Sequence, residues 1–115
     1  MASIAAPLAD QTWRTAILIA HSRRELILSP FFSNCEGLLV IDRDGCTKEF
    51  MPNSTRTNRS TCNLILATGV TRLVCGFIDE PQRARLCASG MDIRLGSCTR
   101  PLEALVREFD DLPVA

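Results

Sequence analysis

Thr15 to Ala20 (TAILIA) is an almost unbroken apolar run. A run of that length without polar alternation reads as a strand buried on both faces. Glu25 to Leu28 is a second short extended piece. Ser29-Pro30 ends it, because proline has no amide hydrogen to give a ladder. Leu38 to Asp42 (LLVID) is another buried strand. Arg43-Asp44-Gly45 reads as a turn, and Cys46 to Met51 as the returning partner of a hairpin. Pro52 to Arg59 (PNSTRTNR) is polar throughout and is the longest candidate loop.

The second half changes rhythm. Ser60 or Thr61 is placed to cap a helix running to about Thr68, with Gly69 as its stop. Arg72 to Phe77 is a strand. Asp79 is placed to cap the next helix, which has Pro81 in its first turn and ends near Gly90. Met91 to Leu95 is a strand. Thr99 is the expected cap of a last helix, in which Leu102, Leu105, Val106 and Phe109 share one face. Pro113 follows its end. Gly69 to Cys75 and Gly90 to Cys98 are alike: each is a helix-ending glycine, a strand, then a cysteine at the strand's exit. They read as successive βα units of one parallel sheet. The expectation is a single α/β domain over residues 15–112. It has a mixed sheet of about five strands, a hairpin region followed by βαβα, and flanking helices. Residues 1–14 read as a loosely packed tail.

Composition narrows the function. Thirteen basic and thirteen acidic residues cancel, and there is no Tyr. Such a chain has neither a broad field for phosphate backbones nor an aromatic platform for bases, so nucleic acid is not the expected partner. No apolar run approaches the roughly 20 residues that cross a bilayer. The start lacks a basic region ahead of an apolar one, which reads as no signal peptide and a cytoplasmic protein.

The anomaly is six cysteines in 115 residues: Cys35, Cys46, Cys62, Cys75, Cys87 and Cys98. No two are closer than eleven positions, so there is neither a zinc knuckle nor a CxxC redox pair. Taken singly, each is most simply a small buried hydrophobe. Their placement suggests more. Ligands collect at the carboxyl ends of parallel strands, where helix N-termini present free amides. Cys75 and Cys98 stand at strand exits, Cys62 in the expected first turn of a helix, and Cys35 in the loop entering LLVID. Cys62, Cys75 and Cys98 are expected to share one rim, with thiolates favoured by the helix ends, and Cys35 joins them as a candidate ligand. Thiolates select iron–sulfur clusters, zinc or copper(I). Cys46 and Cys87 are expected to be structural. His21 reads as an exposed loop residue, Phe31-Phe32 as core packing, and Asp110 and Asp111 as exposed polar residues.

From about Thr15 to Leu112 the chain resembles the dinitrogenase iron–molybdenum cofactor biosynthesis family. Ser29 to Asp42 (SPFFSNCEGLLVID) is similar to its "SPHFGRAxxFLIYD" stretch, Cys75 to Pro81 (CGFIDEP) to "CGGIGP", and Leu86 to Gly96 (LCASGMDIRLG) to "LxxxGIxVxLG". Some members open the first helix with a cysteine, as Cys62 does in this reading. The resemblance implies a ribonuclease-H-like fold and a non-catalytic carrier of an iron–sulfur or iron–molybdenum type cofactor or its precursor. It also implies nitrogenase-type or other metalloenzyme assembly proteins as partners. One departure matters. Phe31 replaces the family's histidine and Ser33 its following glycine, so ligation falls to Cys35, Cys62, Cys75 and Cys98.

Two other functions compete with the carrier. A metal-free interaction or regulatory module would use the cysteines for packing. An enzyme ranks last, because the first strand has no carboxylate for magnesium and His21 is the only histidine available as a base. The Cys46–Met51 edge permits a homodimer.

Overall fold

TAILIA is the middle of the fold. In the computed structural model it lies within β1 (Arg14–Ser22), which has a neighbour along each edge. On one edge β3 (Gly37–Asp42) runs antiparallel, with Leu39 opposite Ile17. On the other, β5 (Arg72–Cys75) runs parallel beside Thr15–Ile17, and β2 (Glu25–Leu28) runs antiparallel beside Ile19–Ser22. β4 (Lys48–Pro52) pairs antiparallel with β3, and β6 (Asp92–Leu95) parallel with β5. The order is β4-β3-β1-β5-β6, with β2 joining β1. The described residues, 14–42 and 48–115, therefore hold a mixed sheet of six strands against the expected five or so, since β2 takes over the edge of β1 where β5 stops. The Arg43-Asp44-Gly45 turn, Cys46 and all but the last residue of the expected tail lie outside the described residues.

Among the described residues there are three helices, α1 (Asn58–Thr68), α2 (Glu80–Ala88) and α3 (Leu102–Arg107), the last continued by a 3₁₀ turn at Phe109–Asp111. They come after β4, β5 and β6, which all run in one direction, so the three helices start at one rim, as the sequence implies. Side chains alternate across a strand, and β1 shows it. Ala16 and Leu18 join one buried cluster with Ile65 of α1 and Leu86 of α2. Ile17 and Ile19 join a second cluster, on the opposite face, with Leu102 and Leu105 of α3 and with Phe109.

The helix starts differ from expectation. Thr57, not Ser60 or Thr61, caps α1: its hydroxyl accepts from the Ser60 amide at 3.0 Å, and the Ser60 hydroxyl accepts from the Thr57 amide at 3.0 Å. Such a reciprocal box is worth about 1 kcal/mol. Asp79 does precede α2, but its side chain makes no cap bond. Pro101 precedes α3, while the Thr99 hydroxyl pairs with that of Ser97 at 2.8 Å, so Thr99 is not the cap. At the other end of α1, Gly69 takes the left-handed conformation (φ 73°) and donates to the Leu66 carbonyl.

The chain end is pinned by Arg94. Its guanidinium holds Asp92 at 2.8 Å and donates to the carbonyls of Phe109, Asp110 and Leu112. The Phe109 ring lies under the guanidinium groups of Arg72 and Arg94, 4.7 and 5.0 Å from its centroid. Asp110 and Asp111 are exposed. The β1–β2 turn is two residues long, and both are arginines with positive φ: 50° at Arg23 and 74° at Arg24. Among the described residues no helix is long and apolar enough to cross a membrane.

Candidate functional site

The strand exits carry the chemistry. Cys75 is the last residue of β5, Cys98 follows β6, Cys35 lies in the loop from Ser29 to Glu36, and Cys62 lies in α1. With Asn58 the first helical residue, Cys62 falls in the second turn of α1, not the first. The four thiols divide between the faces. Cys35, Cys62 and Cys75 belong to the α1–α2 cluster, each at 0% exposure, whereas Cys98 packs against the α3 cluster and is partly exposed. Among the described residues no three His, Cys, Asp or Glu side chains gather as a group that could hold a metal. The expected four-thiol grip by Cys35, Cys62, Cys75 and Cys98 is therefore not formed in this conformation. Alternation explains the split: Cys75 follows Leu73 by two residues and shares its face.

Burial also reverses the expected electrostatics. Desolvation pushes the Cys75 thiol up to about 12. It raises Cys62 as well, against the opposing pull of the Arg85 guanidinium. Cys35 is raised by burial too, although the Asn53 amide and the Gly37 main-chain N–H favour its charged form. These three are buried, protonated thiols at neutral pH, although Asn53 and Arg85 reach the Cys35 and Cys62 sulfurs. Cys87 is exposed on α2 and does not fill core volume, contrary to its expected structural part.

Asn53 is a residue the sequence did not single out. It is 4% exposed, and its amide nitrogen lies 3.2 Å from the carbonyls of Ser33 and Cys35 and 3.1 Å from the Thr61 hydroxyl. It ties the Ser29–Glu36 loop to α1. Phe32 plugs that loop into the α1–α2 cluster at 4% exposure, as expected of core packing, but Phe31 stands 59% exposed at the rim. Phe77, just past β5, is 56% exposed. Between them Gly76 is needed for close approach. A Cβ there would meet the Ser29 carbonyl at 2.7 Å and the Cys98 sulfur at 3.3 Å. His21 is the penultimate residue of β1, not a loop residue. Its amide and ring nitrogens contact the Glu36 carboxylate at 2.5 and 2.7 Å, and those hydrogen bonds lower the Glu36 pKa. Its side chain is nevertheless 57% exposed.

A cleft of about 630 Å³ opens on the α3 face. Leu26, Ile27, Leu39 and Ile41 of the sheet line it, and Cys98 to Leu102 line it from the loop into α3. The Lys48–Glu103 ion pair, 3.7 Å, lies at its edge. Such a volume is in the range of small-ligand sites. Among the described residues, Cys98 is the one thiol in its lining.

These observations define an α/β domain with three helix starts and one accessible strand-exit thiol at a single rim. No protein-family model matches the chain, and no curated protein matches it. Solved structures share its fold. The apo form of the orange protein from Desulfovibrio gigas aligns with a TM-score of 0.77 at 19% identity, covering 89% of this chain and 92% of that one. A putative NifB protein from Thermotoga, of the DUF35 family, aligns at 0.70 with 16% identity, covering 90% and 91%.

Proposed function

We propose that the protein is a non-catalytic carrier of an iron–sulfur or iron–molybdenum type cofactor or its precursor, seated in the α3-face cleft with Cys98 as its first contact. The observation that carries this reading is a partly exposed thiol, just past β6, lining a cleft on the α3 face of a fold shared with the orange protein. That protein was solved as an apo form, so it takes a ligand, and another neighbour is described as a putative NifB protein. The motif resemblance in residues 29–96 supports membership of the iron–molybdenum cofactor biosynthesis family and its ribonuclease-H-like class. On this reading the cofactor is cargo, and it passes to a nitrogenase-type or other metalloenzyme assembly protein. The cytoplasm suits that role, and all five described cysteines are free.

A four-thiolate cage does not fit these residues as they stand. Cargo held by one thiol and a shaped cleft does. The sealing of Cys35, Cys62 and Cys75 favours a second reading, a metal-free interaction module with packing cysteines. One experiment separates the two. The protein is incubated without oxygen with iron and sulfide, with and without molybdate, and the metal surviving gel filtration is counted. The carrier retains metal and a visible chromophore; Cys98→Ser loses both and Cys75→Ser keeps them. Retention of no metal by the unsubstituted protein leaves the metal-free module.

A further inference from the structure

Many of the chain's cations are answered by its own carboxylates. Arg14, Lys48, Arg72, Arg83, Arg94 and Arg100 pair with Glu49, Glu103, Asp110, Glu80, Asp92 and Glu108 respectively. Arg85 instead donates to the Asn63 side chain at 2.6 Å. Among the described residues, Arg23, Arg24, Arg56, Arg59 and Arg107 meet no carboxylate at ion-pair distance. Arg107 stands in the last turn of α3, where the helix carbonyls favour a cation. The other four have no such compensation, and they lie at one corner of the rim.

Contacts around Glu36 define that corner. The Glu36 amide donates to the Ile19 carbonyl at 2.9 Å, and its carbonyl accepts from the Asn53 amide at 3.0 Å. Glu36 therefore sits between β1 on one side and the loop entering α1 on the other. From the β1 side His21 binds its carboxylate, and the turn just beyond Ser22 carries Arg23 and Arg24. From the other side comes Arg56. Glu36 is held below the usual carboxylate range first by the His21 bonds, and the Arg56 charge adds to them. Arg59 follows in the first turn of α1, which contains no acidic residue. All four arginines are exposed. Among the described residues, the non-glycine positions with positive φ are Arg23, Arg24 and Arg56, at 50°, 74° and 56°. Side chains rarely adopt that conformation, and it concentrates where backbone serves a contact. Here it coincides with the uncompensated charges.

We propose that this corner docks an acidic segment of a partner protein, with Arg23, Arg24, Arg56 and Arg59 receiving its carboxylates. This goes beyond the cofactor reading and does not depend on it. Guanidinium forks bind carboxylates bidentately, and exposed charges steer the encounter. Glu25 and Glu36 set the kind of anion. Glu25 follows Arg24 directly, and Glu36 lies between the two arms. A dense line of phosphates, as on nucleic acid, meets repulsion there that spaced carboxylates on an extended segment avoid. An anionic bilayer would favour an apolar residue at the turn, and the arginines are flanked by Ser22 and Glu25. A second copy of this chain is a poor match. Of its adjacent acidic pairs, Asp79-Glu80 and Asp110-Asp111, Glu80 and Asp110 already hold Arg83 and Arg72.

Fluorescence anisotropy of a labelled oligo-glutamate peptide, titrated with the whole chain at low salt, tests this. The peptide should bind, and binding should fade as salt rises. Arg23→Gln together with Arg24→Gln should weaken it by roughly tenfold, and Arg56→Gln by a smaller factor, while circular dichroism shows an intact fold. Arg107→Gln should leave binding unchanged. Single-stranded DNA and vesicles containing phosphatidylserine should bind more weakly than the peptide. Absence of peptide binding at low salt would overturn the proposal. So would indifference to the rim substitutions, an equal loss with Arg107→Gln, or tighter binding of the DNA or the vesicles.

Discussion

Among the described residues, helices of eleven and nine residues cover one side of the sheet, and one helix of six residues with a 3₁₀ turn lies on the other. The longer cover seals Cys35, Cys62 and Cys75 completely. The shorter one leaves a cleft with Cys98 in its lining. Cysteines at one rim of one sheet thus divide into buried and accessible kinds according to the face on which each one packs. Proximity to a helix start does not activate a thiol that hydrocarbon surrounds, because loss of water opposes the thiolate more strongly than the helix end favours it.

Thiol labelling should break or sharpen that contrast most strongly. With a maleimide and mass-spectrometric mapping, Cys98 and Cys87 should react at rates governed by exposure. Cys35, Cys62 and Cys75 should wait for opening of the fold, roughly 1,000-fold slower or more. Comparable rates for Cys75 and Cys98 would remove the distinction between the faces. Next in size is the cost of truncation. Leu38→Ala, at 0% exposure on the sealed face, should cost about 3 kcal/mol in urea unfolding. Leu26→Ala, 42% exposed beside the cleft, should cost under about 1 kcal/mol.

The alkaline limb of stability comes third. The folded pKa of Cys75 lies above its unfolded value, so its contribution is intact below pH 9.0 and is lost between there and about 12. The slope approaches roughly 1.4 kcal/mol per pH unit. Cys75→Val should flatten that limb relative to the parent, and an unchanged slope would count against a sealed thiol. The smallest effect concerns Thr15. It is buried on the α3 face, and its hydroxyl has no partner among the described residues. Thr15→Val should raise stability by about 1 kcal/mol, measured as a higher urea midpoint.

The strands were legible because TAILIA and LLVID are short apolar runs bounded by polar residues, too short for a typical helix, and the two βα units announce a parallel pair. Cap positions were less so. PNSTRTNRS offers several hydroxyls and amides in succession, and only tertiary placement makes Thr57 extended while Ser60 falls three residues later. The likeness of Leu73 and Cys75 in facing was readable from alternation, but which helix would cover them was not. Cys98 lies in a loop, where no periodicity assigns a face. Asn53 carried no signal: an asparagine in a polar loop looks the same whether it faces water or ties two elements together.

The turn at Arg23 and Arg24 has a consequence for the molecule's malleability. Asn-Gly would take the same left-handed pair of conformations with little strain, whereas each arginine holds it at a cost of roughly 1 kcal/mol. The tip of the β1–β2 ribbon should therefore be the spot where a two-residue exchange, Arg23→Asn with Arg24→Gly, makes the protein tougher without touching its interior.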